Sequence, residues 1–353
     1  MTISIRDVAN KAGVSISTVS RILNNNDTNI SISEQTKKKV LAVCEDLKFQ
    51  PNIHAHRFFK KKSETVGLII PPQSQIKGVK HAFTDYNLGE LLSGVENAIT
   101  KRGYRLTVLV ADDDFIDAKK HIHLLRDHSI DGLLLWGLRV NEMYILDLQQ
   151  ESFPYIILNG YVYSVQANSI IADNKAGSFA VTEHLINLKH RKIGYIKGPQ
   201  DCAVSVDRYA GYQDAIAKYG LTIYDEFIEE GDFTEEDGHW AMKRMLEHEH
   251  LPTAVCAAND TMAIGALKAI KEHGLIVPDN IALAGGDGIP LTEYVVPAIT
   301  TIKTPMYELG LRGVNKLFEI IENNTSEPVQ EVLKTELIIR ASTAGSCNEK
   351  SKL

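Results

Sequence analysis

Residues 3–24, ISIRDVANKAGVSISTVSRILN, predict two short helices around a tight turn. Ser4 supplies an N-cap side chain, and Asp7 stands three residues on, a capping-box spacing. Ile5, Val8, Ala9 and Ala12 then recur at helical spacing. Gly13 ends the run, because glycine enters the left-handed C-cap conformation without strain. Ser15 caps a second helix with Val19, Ile22 and Leu23 on its inner face. Ile16, Ser17, Ser20, Arg21 and Asn24 are left facing outward. A short helix, a glycine turn and a second helix with small polar side chains plus an arginine make a helix-turn-helix pattern. An exposed helical hairpin with no DNA role shares the two-helix outline.

Outward from this stretch, a polar loop leads to Ser33, which caps a third helix, EQTKKKVLAVCEDLKF (34–49). Thr36, Val40, Val43, Cys44 and Leu47 form its inward stripe. Lys37, Lys38 and Lys39 read as a solvated face, some of which approaches phosphates if the neighbouring helices bind DNA. Pro51 stops the helix, and a short basic segment, IHAHRFFKKKSE (53–64), follows. Residues 1–65 hold 11 Lys/Arg against 6 Asp/Glu, while the remainder holds 27 against 39. A basic head on an acidic body concentrates phosphate contact on the head. Cys44, Cys202, Cys256 and Cys347 form no CxxC or Cys/His cluster, and Cys44 and Cys256 read as small core residues. The N-terminus lacks an apolar signal core and no run approaches membrane-spanning length, so a cytoplasmic protein with no membrane partner is expected.

From Thr65 the pattern changes. TVGLIIP is a β-branched apolar run suited to a strand buried on both faces. Strands are expected at 66–70, 105–110, 132–136 and 155–159, then at 192–197, 254–258 and 281–285. Helices are expected at roughly 88–102, 117–127, 175–188, 206–219, 260–273 and 306–322. Repeated βα units imply parallel sheets with helices on both faces. Two groups of them imply two lobes, with ligand beyond the carboxyl ends of the strands. Several polar residues stand there: Asn159 after YIIL, Asn259 and Asp260 after AVCAA, and Asp287 after IALAGG. Trp136 ends the third strand and Arg208 starts a helix after a polar loop. Amide, carboxylate and guanidinium groups around an aromatic suit a polyhydroxylated ligand. Competing readings place Trp136 in a lobe core, pair Arg208 with Asp287 across the cleft, and make Asp173 and Asp260 helix caps.

AGVSxxTVSRxLN (12–24) resembles the N-terminal signature of the LacI/GalR family of bacterial transcription regulators. The resemblance continues through DGLLL (131–135), SIIADNKAG (169–177), EHLINLKHRKIGYIKGP (183–199), DRYAGY (207–212), AANDTMAIGALKAI (257–270), VPDNIALAGGDGIP (277–290) and AITTIKTP (298–305). It implies a small all-α helix-turn-helix head (1–49), a hinge (50–64), an α/β bilobed periplasmic-binding-protein-like effector domain (65–345) with three crossovers between lobes, and a tail (346–353). Ser15, Ile16, Ser17, Thr18, Ser20, Arg21 and Asn24 are then the DNA-reading residues, with Ile16 suited to a thymine methyl. In the family the hinge folds on the operator and wedges an apolar side chain into the minor groove. Phe58 takes that position here, beside His54 and Arg57, where IHAHRF replaces the usual ALARSL. The resemblance also implies effector contacts by Trp136, Asn159, Arg208, Phe233, Asn259 and Asp287.

The sequence contains no GxSxG, no Walker loop, no GxGxxG after the first strand and no HExxH; HEH at 248–250 reads as surface charge. No enzyme activity and no cofactor are expected. The expectation is therefore a homodimeric repressor of a carbohydrate operon. It reads a pseudo-palindromic operator in double-stranded DNA and is controlled by a small sugar. The tail lacks leucine heptads, so no coiled-coil association is expected. Two alternatives stand beside this reading: the same regulator answering to a purine, a sugar phosphate or a protein corepressor, and a sugar-binding protein with no DNA role.

Overall fold

The structure, a computed structural model, describes residues 3–23, 32–49, 62–72, 85–323 and 328–344. The chain divides into two compact units, Met1–Ser63 and Glu64–Leu353.

Among its described residues the first unit holds three helices, α1 (Ile5–Ala12), α2 (Ile16–Leu23) and α3 (Glu34–Asp46). The capping box is formed: the Asp7 amide donates to Ser4 Oγ at 3.4 Å, and the Ser4 amide donates to Asp7 Oδ2 at 2.8 Å. Hydrogen bonds from Ser4 hold the Asp7 carboxyl below the usual carboxylate range. Gly13 takes φ 66° and turns the chain. Val8, Ala9, Ala12, Val19, Ile22, Val40 and Cys44 make one small core, so the helical stripes meet as their spacing requires. Lys11 on α1 pairs with Asp46 on α3.

The second unit carries two parallel sheets. The N-terminal-lobe strands are β1 (Thr65–Ile70), β2 (Arg105–Val110), β3 (Gly132–Trp136), β4 (Tyr155–Leu158), β5 (Ser169–Ala172) and a late strand described below. The helices between them are α4 (Tyr86–Thr100), α5 (Asp113–Asp117), α6 (Lys120–Arg126) and α7 (Ile145–Gln150). The C-terminal lobe follows with α8 (Asn174–Asn187), β6 (Ile193–Lys197), α9 (Ala203–Lys218), β7 (Ile228–Glu230), α10 (Glu235–Leu246), β8 (Ala254–Ala257), α11 (Asp260–Glu272), β9 (Ala282–Ala284), α12 (Leu291–Tyr294) and β10 (Thr301–Lys303). α13 (Met306–Asn323) and β11 (Gln330–Leu333) then return to the first lobe, and β12 (Glu336–Ile338) pairs antiparallel with β10. The sheet orders are β11-β5-β4-β3-β1-β2 and β7-β6-β8-β9. The chain thus crosses between lobes three times, near residues 173, 304 and 335.

β1 shows why its apolar run is continuous. Val66, Leu68 and Ile70 point into the core shared with α4 and α13, while Ile69 points into the core shared with α5, α6 and α7. α4 and α13 pack closely enough that only glycine fits at the crossing. A Cβ on Gly94 would stand 2.0 Å from the Tyr307 carbonyl oxygen, and one on Gly310 would stand 2.3 Å from that of Leu91.

The expected strands and helices are present within a few residues at each end. The helix expected over 117–127 is two, α5 and α6, separated by Lys119 in the left-handed region. α9 begins at Ala203, so Arg208 lies in its second turn and does not open it. β5, β7, β10, β11, β12, α7, α10 and α12 were not anticipated. Among the described residues no helix is long and apolar enough to cross a membrane.

Candidate functional site

On the second helix of the head, Ser15, Ile16 and Ser17 are exposed, and Thr18, Ser20 and Arg21 are half-buried. Ser15 Oγ caps α2, accepting from the Thr18 amide at 3.1 Å, and lies 2.7 Å from Ser17 Oγ and 2.8 Å from Thr18 Oγ1. The helix start therefore presents a tied row of hydroxyls beside the exposed Ile16 side chain. Lys37 pairs with Glu34 at 3.1 Å, whereas Lys38 and Lys39 are exposed. Asn24, His54, Arg57 and Phe58 lie outside the described residues.

In the body, all six residues expected to hold an effector line one cavity of about 350 Å³ between the lobes. That volume is at the low end for small-molecule pockets. It continues into an outer compartment of about 1000 Å³ that shares Trp136, Arg139, Pro199 and Asp232 with it. Trp136 is half-buried at the junction: it packs against the N-terminal-lobe core and also lines both compartments.

Arg208 is the hub of the inner cavity. Its Nη1 donates to the Ala258 carbonyl at 2.6 Å and pairs with Asp287 Oδ1 at 2.8 Å. Its Nε donates to Asn174 Oδ1 at 3.0 Å and its Nη2 to Thr304 Oγ1 at 3.2 Å. Asn174 and Thr304 belong to two of the three crossovers, so Arg208 binds both. The Arg208–Asp287 ion pair is present, as the competing reading held, but both residues come from the C-terminal lobe and neither spans the cleft. Both side chains are almost fully buried and still line the cavity.

Asn259 is committed locally. Its Oδ1 accepts from the Met262 amide at 2.9 Å, capping α11, and its Nδ2 donates to the Phe233 carbonyl at 3.1 Å. Against one competing reading, Asp260 does not cap that helix, because Asn259 already does. Asp260 instead accepts from the Gly288 and Ile289 amides at 2.8 and 2.9 Å and from Thr301 Oγ1 at 2.6 Å. It thereby anchors the loop that carries Asp287. Burial, then the Asp287 charge, pushes the Asp260 carboxyl well above the usual carboxylate range. Asp173 does cap its helix, accepting from the Ala176 amide at 3.0 Å. Asn159 accepts from the Ala172 amide and from Asn174 Nδ2, each at 3.2 Å, joining the exits of β4 and β5.

Three of the six residues, Asn159, Phe233 and Asp287, have φ of 52°, 65° and 133°, in the region that favours glycine. Such strain concentrates where a side chain must be aimed at a ligand. The cavity also includes residues that sequence reasoning missed, notably Asp85 and Arg139. Asp85 caps α4 at the cavity edge, and an aspartate before an apolar-periodic run was the available signal. Arg139 lies three residues beyond β3 and reaches Asp201 of the other lobe at 2.5 Å. Burial, then the nearby Asp287 charge, pushes the Asp85 carboxyl above its usual range. Among the described residues no cluster of metal-ligating side chains is present.

Two family models match the chain: "Bacterial regulatory proteins, lacI family" over residues 4–52 and "Periplasmic binding protein-like domain" over residues 182–343. The probable transcriptional repressor ExuR of Bacillus subtilis is 32% identical, with 96% of this chain and 98% of that protein covered. The structure of the Lac repressor dimer bound to operator and the anti-inducer ONPF matches with a TM-score of 0.83 at 25% identity, covering 97% of this chain and 99% of the other. A complex of the transcriptional regulator CelR with cellobiose matches with a TM-score of 0.73 at 28% identity, covering 96% and 99%.

Proposed function

The chain belongs to the LacI family of bacterial regulatory proteins, a family of DNA-binding transcriptional regulators, and from that premise we propose that it is a homodimeric repressor of carbohydrate genes. Two heads of one dimer grip a pseudo-palindromic operator. Ser17, Thr18, Ser20, Arg21 and Asn24 face bases or phosphates, and Phe58 wedges the minor groove. A small saccharide in the interlobe cavity controls the grip. The protein acts in the cytoplasm on the nucleoid and catalyses no reaction.

The observation that carries this reading is that the six residues line one interlobe cavity, in which Arg208 pairs with Asp287 and makes hydrogen bonds to two interlobe crossovers. A ligand held by Arg208 and Asp287 touches the segments on which lobe closure turns. It alters DNA affinity only through a difference in its affinity for the two lobe arrangements. One solved relative is a complex with cellobiose, which supports a saccharide.

The test is footprinting of the full-length protein on fragments of its own genome, repeated over a salt series. The expected result is a protected pseudo-palindrome, with affinity falling steeply as salt rises. Arg21→Ala should lower that affinity about tenfold or more, since a good base contact contributes about 1–3 kcal/mol. Absence of any protected site, or binding insensitive to salt, overturns the reading.

A further inference from the structure

Asp85 was not among the residues expected to hold the effector, yet it stands in the same cavity. It caps α4 in the N-terminal lobe through Oδ1, which accepts from the Asn87 and Leu88 amides at 2.7 and 3.3 Å. Among the described residues, its Oδ2 has no protein donor. In the opposite lobe, Asp287 gives Oδ1 to Arg208, and its Oδ2 likewise has no donor among the described residues. Two acceptors thus enter one small cavity from two lobes. They are close enough for the Asp287 charge to disfavour ionisation of Asp85.

The cations around them are already committed. The charged residues lining the inner cavity are the carboxylates of Asp85, Asp232, Glu235 and Asp287 and the guanidinium groups of Arg139 and Arg208. Arg139 is paired with Asp201, and Arg208 with Asp287. The outer compartment is lined by seven acidic side chains, with Arg139 as its single Lys or Arg among the described residues. Asp201 pairs with Arg139, Glu230 pairs with Lys197, and burial pushes the Glu142 carboxyl up to about 7, so the field comes chiefly from the other four. An anion entering by this route meets a negative field focused by low-dielectric walls. At the bottom, among the described residues, it finds no unpaired cation to offset its lost hydration.

Resting on the saccharide reading above, we infer that the effector is a sugar without negative charge, neutral or ammonium-bearing, whose donor hydrogens bridge Asp85 of one lobe to Asp287 of the other. Such a ligand replaces repulsion between two carboxylates with two charge-assisted hydrogen bonds, and so favours the closed arrangement. An acidic sugar adds a third negative charge at the same point and favours the open one. The bridge supplies the difference in affinity between arrangements that control of DNA binding requires.

The test measures thermal unfolding and calorimetric affinity of the full chain against matched sets. Each set holds a neutral sugar, its amino sugar, its uronic acid and its 6-phosphate, in the gluco and galacto series and as disaccharides, with nucleosides alongside. The expected result is a rise in Tm with a neutral or amino member and none with the acidic members of its set. Asp85→Asn preserves the helix cap, since asparagine caps as well as aspartate, and its unliganded Tm should match the wild type. It should lower the preference for the binding sugar over its uronic acid about tenfold. An acidic member binding best, or an unchanged preference in Asp85→Asn, overturns the inference and leaves the saccharide reading standing. A response to a nucleoside with none to any sugar, or a flat panel, overturns both.

Discussion

Arg208, Asn259 and Asp287, on the C-terminal-lobe side of the cavity, are each held by two or more hydrogen bonds or ion pairs to protein. Asp287 is fixed even through its backbone: its amide donates to the Ile302 carbonyl, and its carbonyl accepts from the Thr304 amide. Trp136 and Tyr86 face them from the N-terminal lobe, and among the described residues their side chains make no hydrogen bond at all. The C-terminal wall is preorganised, whereas the N-terminal wall, apart from Asn159 held at the exits of β4 and β5, is completed by whatever enters. The stiff wall fixes the position of a ligand, because its polar groups need no reordering on binding. The loose wall supplies the ring and the Asp85 carboxylate, groups whose pairing depends on the ligand and on closure. The contrast locates rigidity, and with it most of the stability tied up in the site, on the C-terminal side.

The largest expected effect tests that location. Asp287→Ala leaves the Arg208 guanidinium buried without its carboxylate, although the Ala258, Asn174 and Thr304 acceptors remain. Breaking a buried pair from one side costs about 3–5 kcal/mol, and the surviving acceptors put this case near about 3 kcal/mol by urea denaturation. Trp136→Ala removes a half-buried ring with no polar partner and should cost about 1.5 kcal/mol. If the tryptophan substitution is the more damaging, the stiff wall has been assigned to the wrong lobe.

The same division separates what could be read from the sequence from what could not. The head was legible because its signals are local: a cap at Ser4, a left-handed glycine at Gly13 and a helical period act within one or two turns. The long βα units were legible because strands buried on both faces read as continuous apolar runs. β5, β7, β10, β11 and β12 are three or four residues each, and most owe their existence to partners far along the chain. α10 was hidden by its acidic start and by Gly238, which sits there because a Cβ would stand 2.1 Å from the Met262 carbonyl oxygen. In the cavity, polar residues just beyond strands pointed to Asn159, Asn259 and Asp287. That rule could not reveal that Asn259 and Asp260 exchange the roles of cap and anchor. Nor could it show that Arg208 reaches Asn174 and Thr304, because those ties exist only once the crossovers are placed.

An intermediate effect concerns the core behind the loose wall. His121 is fully buried between Phe115 and Tyr144, and among the described residues both ring nitrogens lack a partner. Burial lowers its pKa, Lys119 and His123 act in the same direction, and Asp147 opposes them. The folded state therefore keeps the ring neutral, while the unfolded chain binds a proton near pH 6.5. The contribution is present above that pH and is lost as pH falls below it, at up to about 1.4 kcal/mol per pH unit. Denaturation at pH 7.5 and pH 5 should show wild type losing stability relative to His121→Phe, with the two converging at the higher pH. An equal pH slope in both would mean that the ring finds water or a partner on protonation.

The smallest expected effect lies where the two walls meet. Arg139 pairs with Asp201 across the lobes, and the Val140 amide donates to the Asp201 carbonyl at 2.8 Å. Asp201 is half exposed, so the ion pair should contribute less than about 1 kcal/mol to stability, and a double-mutant cycle of Arg139→Ala and Asp201→Ala should return a coupling within that limit. Its influence on binding should be plainer than its influence on unfolding. The clasp holds the loose wall near the stiff one before a ligand arrives, so removing it lowers the fraction of binding-competent molecules and weakens effector affinity a few-fold. The weakening should shrink at high salt, where the wild-type pair is itself screened. A stability loss well above 1 kcal/mol with unchanged affinity would reverse the assignment, making Arg139 part of the scaffold and moving the boundary between stiff and adjustable walls into the N-terminal lobe.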